Sequence, residues 1–287
     1  MDVIRIFNGL GNQMSQFAFY LAKKKAHPLQ TSFISNKYES ENIHNGYELE
    51  RVFSIKSSRL KEVVLFHFLQ SMYRPVWGYR FFGKLAHSIE ESPNYDYEAK
   101  KLDVDSRIGI TFYWGGWHSE KYFAHIRKDI LDTFKFDENM LNDSSKRWRD
   151  MIMADVHSCS LHIRRGDFLK DKKWADAIPD GYFEKAIEYM RTLFGDVHFY
   201  VFSNDQEWCK EHFGDEEFFY VDGNEGMDSW QDMFLMTKCR HHINANSSFS
   251  WWGAWLCRYD DSITIVPSMF RSDMATKDVY PERWIKI

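Results

Sequence analysis

The chain has 287 residues, room for one large domain or two of ordinary size, and 44% of them are hydrophobic, enough to fill a core. A net charge of −5 and a pI near 6.2 exclude general binding to nucleic acid or to an anionic membrane surface. Aromatic content is high, at 17% with 11 Trp, and flat aromatic faces suit sugar rings as well as cores. Cys159, Cys209, Cys239 and Cys257 show no CxxC spacing, and two of them fall in apolar segments, which predicts buried thiols of a reducing compartment rather than a zinc site. The first residues lack the basic run and long apolar core of a secretory leader, and no window reaches the ~18 apolar residues of a membrane span. The expectation is a cytoplasmic protein.

Residues 3–7 read as a strand. Asn8-Gly9-Leu10-Gly11-Asn12-Gln13 then predicts a glycine-bracketed turn, and Phe17, Ala18, Leu21 and Ala22 at helical spacing predict a helix from Met14. This opens an α/β unit, without the Gly-Lys-Ser/Thr of a Walker loop or the third glycine of a dinucleotide fingerprint. Two readings of the turn stand: a structural one, and one that points the amides of Asn12 and Gln13 into a cleft. Lys23, Lys24 and Lys25 are expected at the solvated end of the helix. Residues 48–53 form a short amphipathic segment, 63–72 a buried helix, 74–82 an aromatic, basic stretch broken by Pro75, and 92–95 a turn. Residues 111–117 read as a strand ending in a Gly-Gly turn between two indoles, and 118–130 as a helix capped by Ser119. Trp114, Trp117 and His118 are candidates for a sugar-acceptor site, with core and turn packing as the alternative. A helix over 139–154 follows, and the domain boundary is set near residue 150.

The strand over 159–163 ends in Arg164-Arg165-Gly166-Asp167. Ligands of open α/β sheets bind outside the carboxyl ends of the strands, and an arginine fork matches phosphate oxygens two at a time. The segment is therefore read as a diphosphate clamp, with a surface Arg–Asp pair and an Arg-Gly-Asp adhesion loop as alternatives. Further on, a helix from Pro179 to Thr192, strands over 197–202, 218–221, 243–246 and 263–266, and helices over 229–239 and 251–258 predict a parallel doubly wound domain. Polar residues recur at its strand ends: 164–167, Ser203 to Asp205, Asp222 to Asn224, and Asn246 to Ser250. Ser247 and Ser248 at a helix mouth offer donors to an anion. Asp232 offers two acceptor oxygens to the N–H edge of a guanine, or is simply an exposed helix carboxylate.

These residues carry a resemblance. The hexapeptide His162 to Asp167 is similar to the signature of the α1,2-fucosyltransferases, shared in looser form with α1,6- and protein O-fucosyltransferases. Gly9 to Met14 resembles the N-terminal block of the same α1,2 family, and Ser247 to Trp255 its C-terminal block. With three blocks in order, the chain is identified as a member of the bacterial α1,2-fucosyltransferases, of the glycosyltransferase family 11 type. It departs from the pattern at Asn8, where glycine is usual, and at Ser15, where an aromatic is usual.

The resemblance implies two Rossmann-like α/β domains of the glycosyltransferase B type, the C-terminal one a parallel doubly wound sheet: 1–150 on the acceptor side and 151–287 binding GDP-fucose. It implies inverting transfer of L-fucose from GDP-β-L-fucose to the 2-hydroxyl of a terminal β-galactoside, with no metal and no cofactor. It places the enzyme in the cytoplasm, at the inner membrane face. Arg164 would bind the donor's β-phosphate and His162 its phosphate or ribose region, with Arg165 and Asp167 supporting the loop. Asn12, Gln13 and Ser203 would contribute to donor binding. Asp232 would hold the guanine, and Ser247, Ser248 and Phe249 would close over diphosphate and base. Fixed cationic donors can stabilise a leaving diphosphate as a metal would. No general base is assigned: Asp167 and Asp171 are the nearest carboxylates, and Lys172 stands where the α1,6 relatives carry a glutamate. The competing expectations are an α1,6- or protein O-fucosyltransferase, a non-catalytic glycan-binding protein and a phosphate-binding regulatory domain.

Overall fold

Short apolar runs bounded by polar loops become the strands of two α/β units, Met1–Lys135 and Phe136–Ile287, in the computed structural model, which describes residues 1–30, 32–35, 45–57, 86–105, 109–166, 168–214 and 216–287. The segments expected over 63–72 and 74–82, and Asp167, lie outside the described residues. The helix expected to end the first domain, which runs over Asp143–Ala154, belongs to the second unit, where it packs on the helix Trp230–Met236.

In the first unit, β1 (Asp2–Arg5), β2 (Ser32–Ser35), β3 (Ala86–Glu90) and β4 (Ile110–Trp114) form a parallel sheet in the order β2-β1-β4-β3. Helix α1 (Leu10–Ala26) starts inside the expected turn, with Gly9 as its N-cap and Gln13 N–H donating to Gly9 O at 3.1 Å. The start is set by partners distant in sequence. The Gln13 side chain donates to Asn8 O (2.6 Å) and Gly46 O (2.7 Å) and accepts from Glu48 N (2.9 Å), while the Glu48 carboxylate accepts from Leu10 N (3.1 Å). Glu48 opens α2 (Glu48–Phe53). Asn8 sits at φ 65°, the left-handed region glycine adopts most easily and asparagine tolerates. That conformation explains a glycine preference at this position.

Lys23 departs from expectation. Its side chain is buried, and the ammonium donates to the carbonyls of Leu102 (2.8 Å) and Val104, while Lys24 and Lys25 are exposed. The helix expected over 118–130 is broken into two 3-10 turns, Glu120–Tyr122 and Ala124–Ile126, followed by α3 (Arg127–Thr133). Adjacent Tyr122 and Phe123 are both fully buried, and the break at Phe123 (φ −138°) turns both inward. Ser119 caps the first turn by accepting from Lys121 N.

The second unit contains α4 (Asp143–Ala154), β5 (Ser158–Ile163), α5 (Tyr182–Phe194), β6 (His198–Ser203), α6 (Gln206–Phe213), β7 (Phe218–Tyr220), α7 (Trp230–Met236), β8 (His241–Ile243), α8 (Ser248–Trp255), β9 (Thr264–Val266) and β10 (Ile285–Lys286). Its sheet is parallel, in the order β10-β9-β8-β5-β6-β7. Helix α4 begins at Asp143 because Asn142 Oδ1 accepts from Ser145 N at 2.7 Å; the residues expected to start it form a separate 3-10 turn, Glu138–Met140.

Side-chain alternation places Cys159, Leu161 and Ile163 on one face of β5, in a cluster with Tyr182, Ala186 and Met190 of α5. Ser160 and His162 point the other way, and Ser160 Oγ pairs with His242 Nδ1 at 2.8 Å. Helix α8 buries Trp251, Trp252 and Trp255. It approaches α7 so closely that a Cβ at Gly253 would stand 2.8 Å from Met236 Cβ. All four cysteines are free thiols and buried.

Candidate active site

Strand order decides where a ligand can enter the second unit. From β5 the chain moves outward through β6 and β7, then returns to β8 on the other side of β5 and continues to β9 and β10. The loops after β5 and β8 therefore leave in opposite directions, and the carboxyl ends of these two strands flank a topological switch point. Arg164 follows β5, and the run from Asn244 to Ser248 follows β8.

The two arginines have different surroundings. Arg165 is tied into its loop: its N–H donates to Asn204 Oδ1 (2.9 Å), its Nε to Asp205 Oδ2 (3.1 Å), and its guanidinium carbon lies 3.9 Å from the Trp208 ring centroid. Asp205 Oδ1 in turn accepts from Trp208 N (3.3 Å) at the start of α6, and Ser203 Oγ accepts from Asp205 N (3.0 Å). Arg165 and Ser203 thus build the loop. A Cβ on Gly166 would meet Asn204 Nδ2 at 2.6 Å, so glycine makes room for the amide side chain that fixes Arg165. Arg164 is half-buried, with its guanidinium 5.2 Å from the Phe168 ring. The His162 ring lies 6.1 Å from that of Phe249, bringing together the β5 and β8 sides of the switch point. Burial, with the Arg164 charge adding to it, pushes the His162 pKa down to about 3, so its imidazole is neutral.

Across the switch point, Ser247 caps α8: its Oγ accepts from Phe249 N at 3.3 Å, and Ser248 is the first helical residue. Buried Asn246 before them donates to Trp174 O (3.0 Å) and Phe270 O (3.1 Å), which locks the approach to the helix. Sequence reasoning placed Asn246 among the polar strand ends but missed Asn244, whose Nδ2 donates to Ser250 O at 3.2 Å; an Asn-x-Asn after a buried strand was the available signal. Asp232 on α7 accepts from Asn224 Nδ2 (2.8 Å), whose Oδ1 accepts from Asn142 Nδ2 and Ser145 Oγ, both at 3.0 Å. Burial, with the Asp222 charge adding to it, outweighs the Asn224 hydrogen bond and raises the Asp232 pKa to about 7.

In the first unit the candidates separate. Gln13 spends its amide on Asn8, Gly46 and Glu48, as described above, so its role is to hold the loop. Trp117 is a core residue: fully buried, stacked on Phe19 at 3.9 Å and met edge-on by Tyr122 at 5.4 Å. Trp114 lies under the Arg5 guanidinium at 4.5 Å. His118 is joined to Asn12, its Nε2 lying 3.2 Å from Asn12 Oδ1, and its Nδ1 faces both Glu91 carboxylate oxygens at 3.2–3.3 Å. Glu91, which sequence reasoning did not single out, also accepts from Gly116 N and His118 N at 2.7 Å. Burial pushes the Glu91 carboxyl up, but His118 and these two N–H groups outweigh it, and the net shift is downward.

Among the described residues no group of three or more His, Cys, Asp or Glu side chains is placed to hold a metal ion, and no helix is long and apolar enough to cross a membrane. The sequence matches the family "Glycosyl transferase family 11" over residues 93–287. It is 30% identical to an alpha-1,2-colitosyltransferase of Escherichia coli, over 99% of this chain and 98% of that protein. It is 28% identical to the O-antigen biosynthesis glycosyltransferase WbnK of the same species, over 97% and 98%. Human galactoside alpha-(1,2)-fucosyltransferase 1 is 25% identical over 58% of this chain and 49% of its own length. The crystal structure of NodZ alpha-1,6-fucosyltransferase soaked with GDP-fucose covers 92% of this chain and 94% of its own, with a TM-score of 0.50 at 13% identity. That likeness shows the fold: two α/β units of the glycosyltransferase B type. A double arginine at the switch point of a parallel sheet, a family match across that whole unit and whole-length relatives that transfer sugars agree: the chain belongs to glycosyltransferase family 11.

Proposed function

We propose that the protein transfers L-fucose from GDP-β-L-fucose to the 2-hydroxyl of a terminal β-galactoside with inversion, the C-terminal unit binding the donor and the N-terminal unit the acceptor. The observation that carries this reading is the juxtaposition at the β5/β8 switch point of Arg164, the α8 N-terminus and the His162–Phe249 pair. The α8 N-terminus sets the positive end of its helix dipole at this point, and Arg164 adds a permanent charge; both suit a diphosphate. Asp232, steadied by Asn224, supplies the acceptor oxygens that a guanine edge requires.

In the reaction the acceptor hydroxyl attacks the anomeric carbon from the face opposite the diphosphate. The bond from that carbon to the phosphate oxygen breaks, and its electron pair leaves on GDP. Arg164 meets the charge that builds on the leaving oxygens, a preorganised electrostatic role. Neutral His162 contributes a hydrogen bond without competing with that charge. No metal or cofactor enters this scheme.

The names of the relatives support α1,2 linkage and leave two sugars in play. A colitosyl donor is the second reading, favoured by the whole-length likeness to an alpha-1,2-colitosyltransferase. The test is incubation of the purified protein with GDP-fucose and lactose in chelator, following GDP release and reading the product linkage by NMR, with GDP-colitose as a parallel donor. An α1,2-fucosyl product is the expected result. Turnover with GDP-colitose alone would replace the donor, and absence of GDP binding by calorimetry would refute the nucleotide site.

A further inference from the structure

The carboxylate read as the guanine partner is held by a chain of side-chain amides. Asn224, in the loop after β7, is 9% exposed, and its Nδ2 donates to Asp232 Oδ1 at 2.8 Å. Its Oδ1 accepts from Asn142 Nδ2 and from Ser145 Oγ, both at 3.0 Å. Asn142 is the N-cap of α4: its Oδ1 accepts from Ser145 N at 2.7 Å, and its backbone N–H donates at 2.9 Å to Gln231 Oε1, beside Asp232 on α7. Loop and helix approach so closely that a Cβ on Gly223, at φ +89°, would stand 3.2 Å from Ser144 Cβ. All of these residues belong to the second unit.

Each amide in this chain has one orientation, because an amide side chain donates at one end and accepts at the other. The helix cap takes the oxygen of Asn142, so its NH₂ group faces Asn224. A reversed Asn224 would set its NH₂ against that of Asn142 and its oxygen against the Asp232 carboxylate. The cap of α4 thus aims a donor at Asp232 through two amides. Burial and the Asp222 charge disfavour the ionised form of Asp232, and the Asn224 hydrogen bond favours it. Asp222 accepts from Trp148 Nε1 at 3.3 Å. The charged side chains of α4 are engaged elsewhere or exposed: Lys146 pairs with Asp143, Arg149 with Asp150 and Glu138, and Arg147 faces solvent. Helix α8, the other neighbour of α7, carries no charged residue.

The form of this carboxyl selects a base. Ionised, it offers two acceptor oxygens, the match for the adjacent ring N–H and amino donors of guanine. Protonated, it offers one donor and one acceptor, the complement of an adenine edge, where a ring nitrogen accepts and an amino group donates. We propose that Asn224 is the positioning residue of the base site and sets its selectivity, holding Asp232 as an oriented carboxylate that takes guanine and refuses adenine. Asn142 acts one step further back, by fixing which end of the Asn224 amide meets Asp232.

This inference rests on the reading of Asp232 as the guanine partner, and the experiment separates the two. Binding of GDP and of ADP is measured by calorimetry from about pH 6 to about pH 9 for the wild type, Asn224→Ala and Asn142→Ser. In the wild type the preference for GDP over ADP is expected to grow as pH rises. Asn224→Ala is expected to move that rise upward by about one pH unit and to weaken GDP roughly tenfold at pH 7, the weight of a hydrogen bond to a charged group. Its GDP affinity recovers towards pH 9, and its ADP affinity does not fall. Asn142→Ser keeps a helix cap, because serine serves there as well. It is expected to shift the rise the same way by less, since Ser145 still donates to Asn224, and it carries the test if Asn224→Ala does not fold. Equal losses for GDP and ADP, a loss independent of pH, or an unmoved profile in both variants would overturn the assignment. Wild-type protein that binds no GDP would instead sink the transferase reading, and GDP binding left intact by Asp232→Asn would take the base away from Asp232.

Discussion

Arg164 and Arg165 are adjacent in sequence and different in task. Arg165 is held by Asn204 and Asp205 and stacked on Trp208, so Arg165→Ala is expected to loosen its loop and lower stability by about 1 kcal/mol, the scale of a partly exposed ion pair plus a cation–π contact. Arg164→Ala is expected to reduce transfer by at least ~10²-fold, the weight of one oxyanion donor. Arg164→Lys recovers only part of that loss, because an ammonium cannot bind two phosphate oxygens in the plane of a fork. Steady-state kinetics beside a thermal melt on each variant decide the matter, and loss of stability without loss of rate in Arg164→Ala would reverse the roles. Asp232 gives a second prediction at this scale. Its pKa of about 7 lies above that of the unfolded chain, so the folded state binds the extra proton, and this carboxyl lowers stability as pH rises from about 4 towards 7. A guanine edge needs the ionised form. GDP affinity is therefore expected to weaken as pH falls below about 7, approaching tenfold per unit. Calorimetry at several pH values should show that slope in the wild type and its disappearance in Asp232→Asn.

At the scale of elements, helix starts matter most, because each site places a helix N-terminus close to a strand end. In the first unit the start of α1 is already occupied: Leu10 N donates to Glu48, and Gln13 binds back to Asn8 and Gly46. Helix α8 is capped only by its own Ser247, through Phe249 N. Ser247→Ala is expected to cost about 1 kcal/mol in urea denaturation. Ser247→Asp is expected to restore that stability, since aspartate caps as well, yet to weaken GDP binding by setting a carboxylate against the diphosphate. Equal GDP affinity in wild type and Ser247→Asp would remove the anion from this helix end. These starts were the least legible features of the sequence. The strands of the second unit were readable because buried parallel strands are continuous apolar runs, whereas α1 begins at Leu10 through a carboxylate 38 residues away.

At the scale of the whole molecule, each unit is built on a parallel sheet, and the apolar interior of the second unit carries the thiols. All four cysteines are buried and none is in a disulfide, and burial pushes the Cys159 and Cys239 thiols well above the ordinary range. The native protein is therefore expected to resist a bulky disulfide reagent, with all four thiols reacting once urea unfolds it. Rapid labelling of the native chain would contradict the packing of β5 and α7. The sequence by itself determined the α/β class, the parallel order of events from β5 to β9, and the family through three blocks of residues, because apolar periodicity and contiguous motifs are local properties. Tertiary structure alone decided that Trp117 is core, that Lys23 is buried against two carbonyls and that Gln13 is a brace. It alone joined Glu91 to His118 and His118 to Asn12. These are contacts between side chains tens of residues apart, brought together by the order of strands in a sheet, and a linear pattern carries no record of that order.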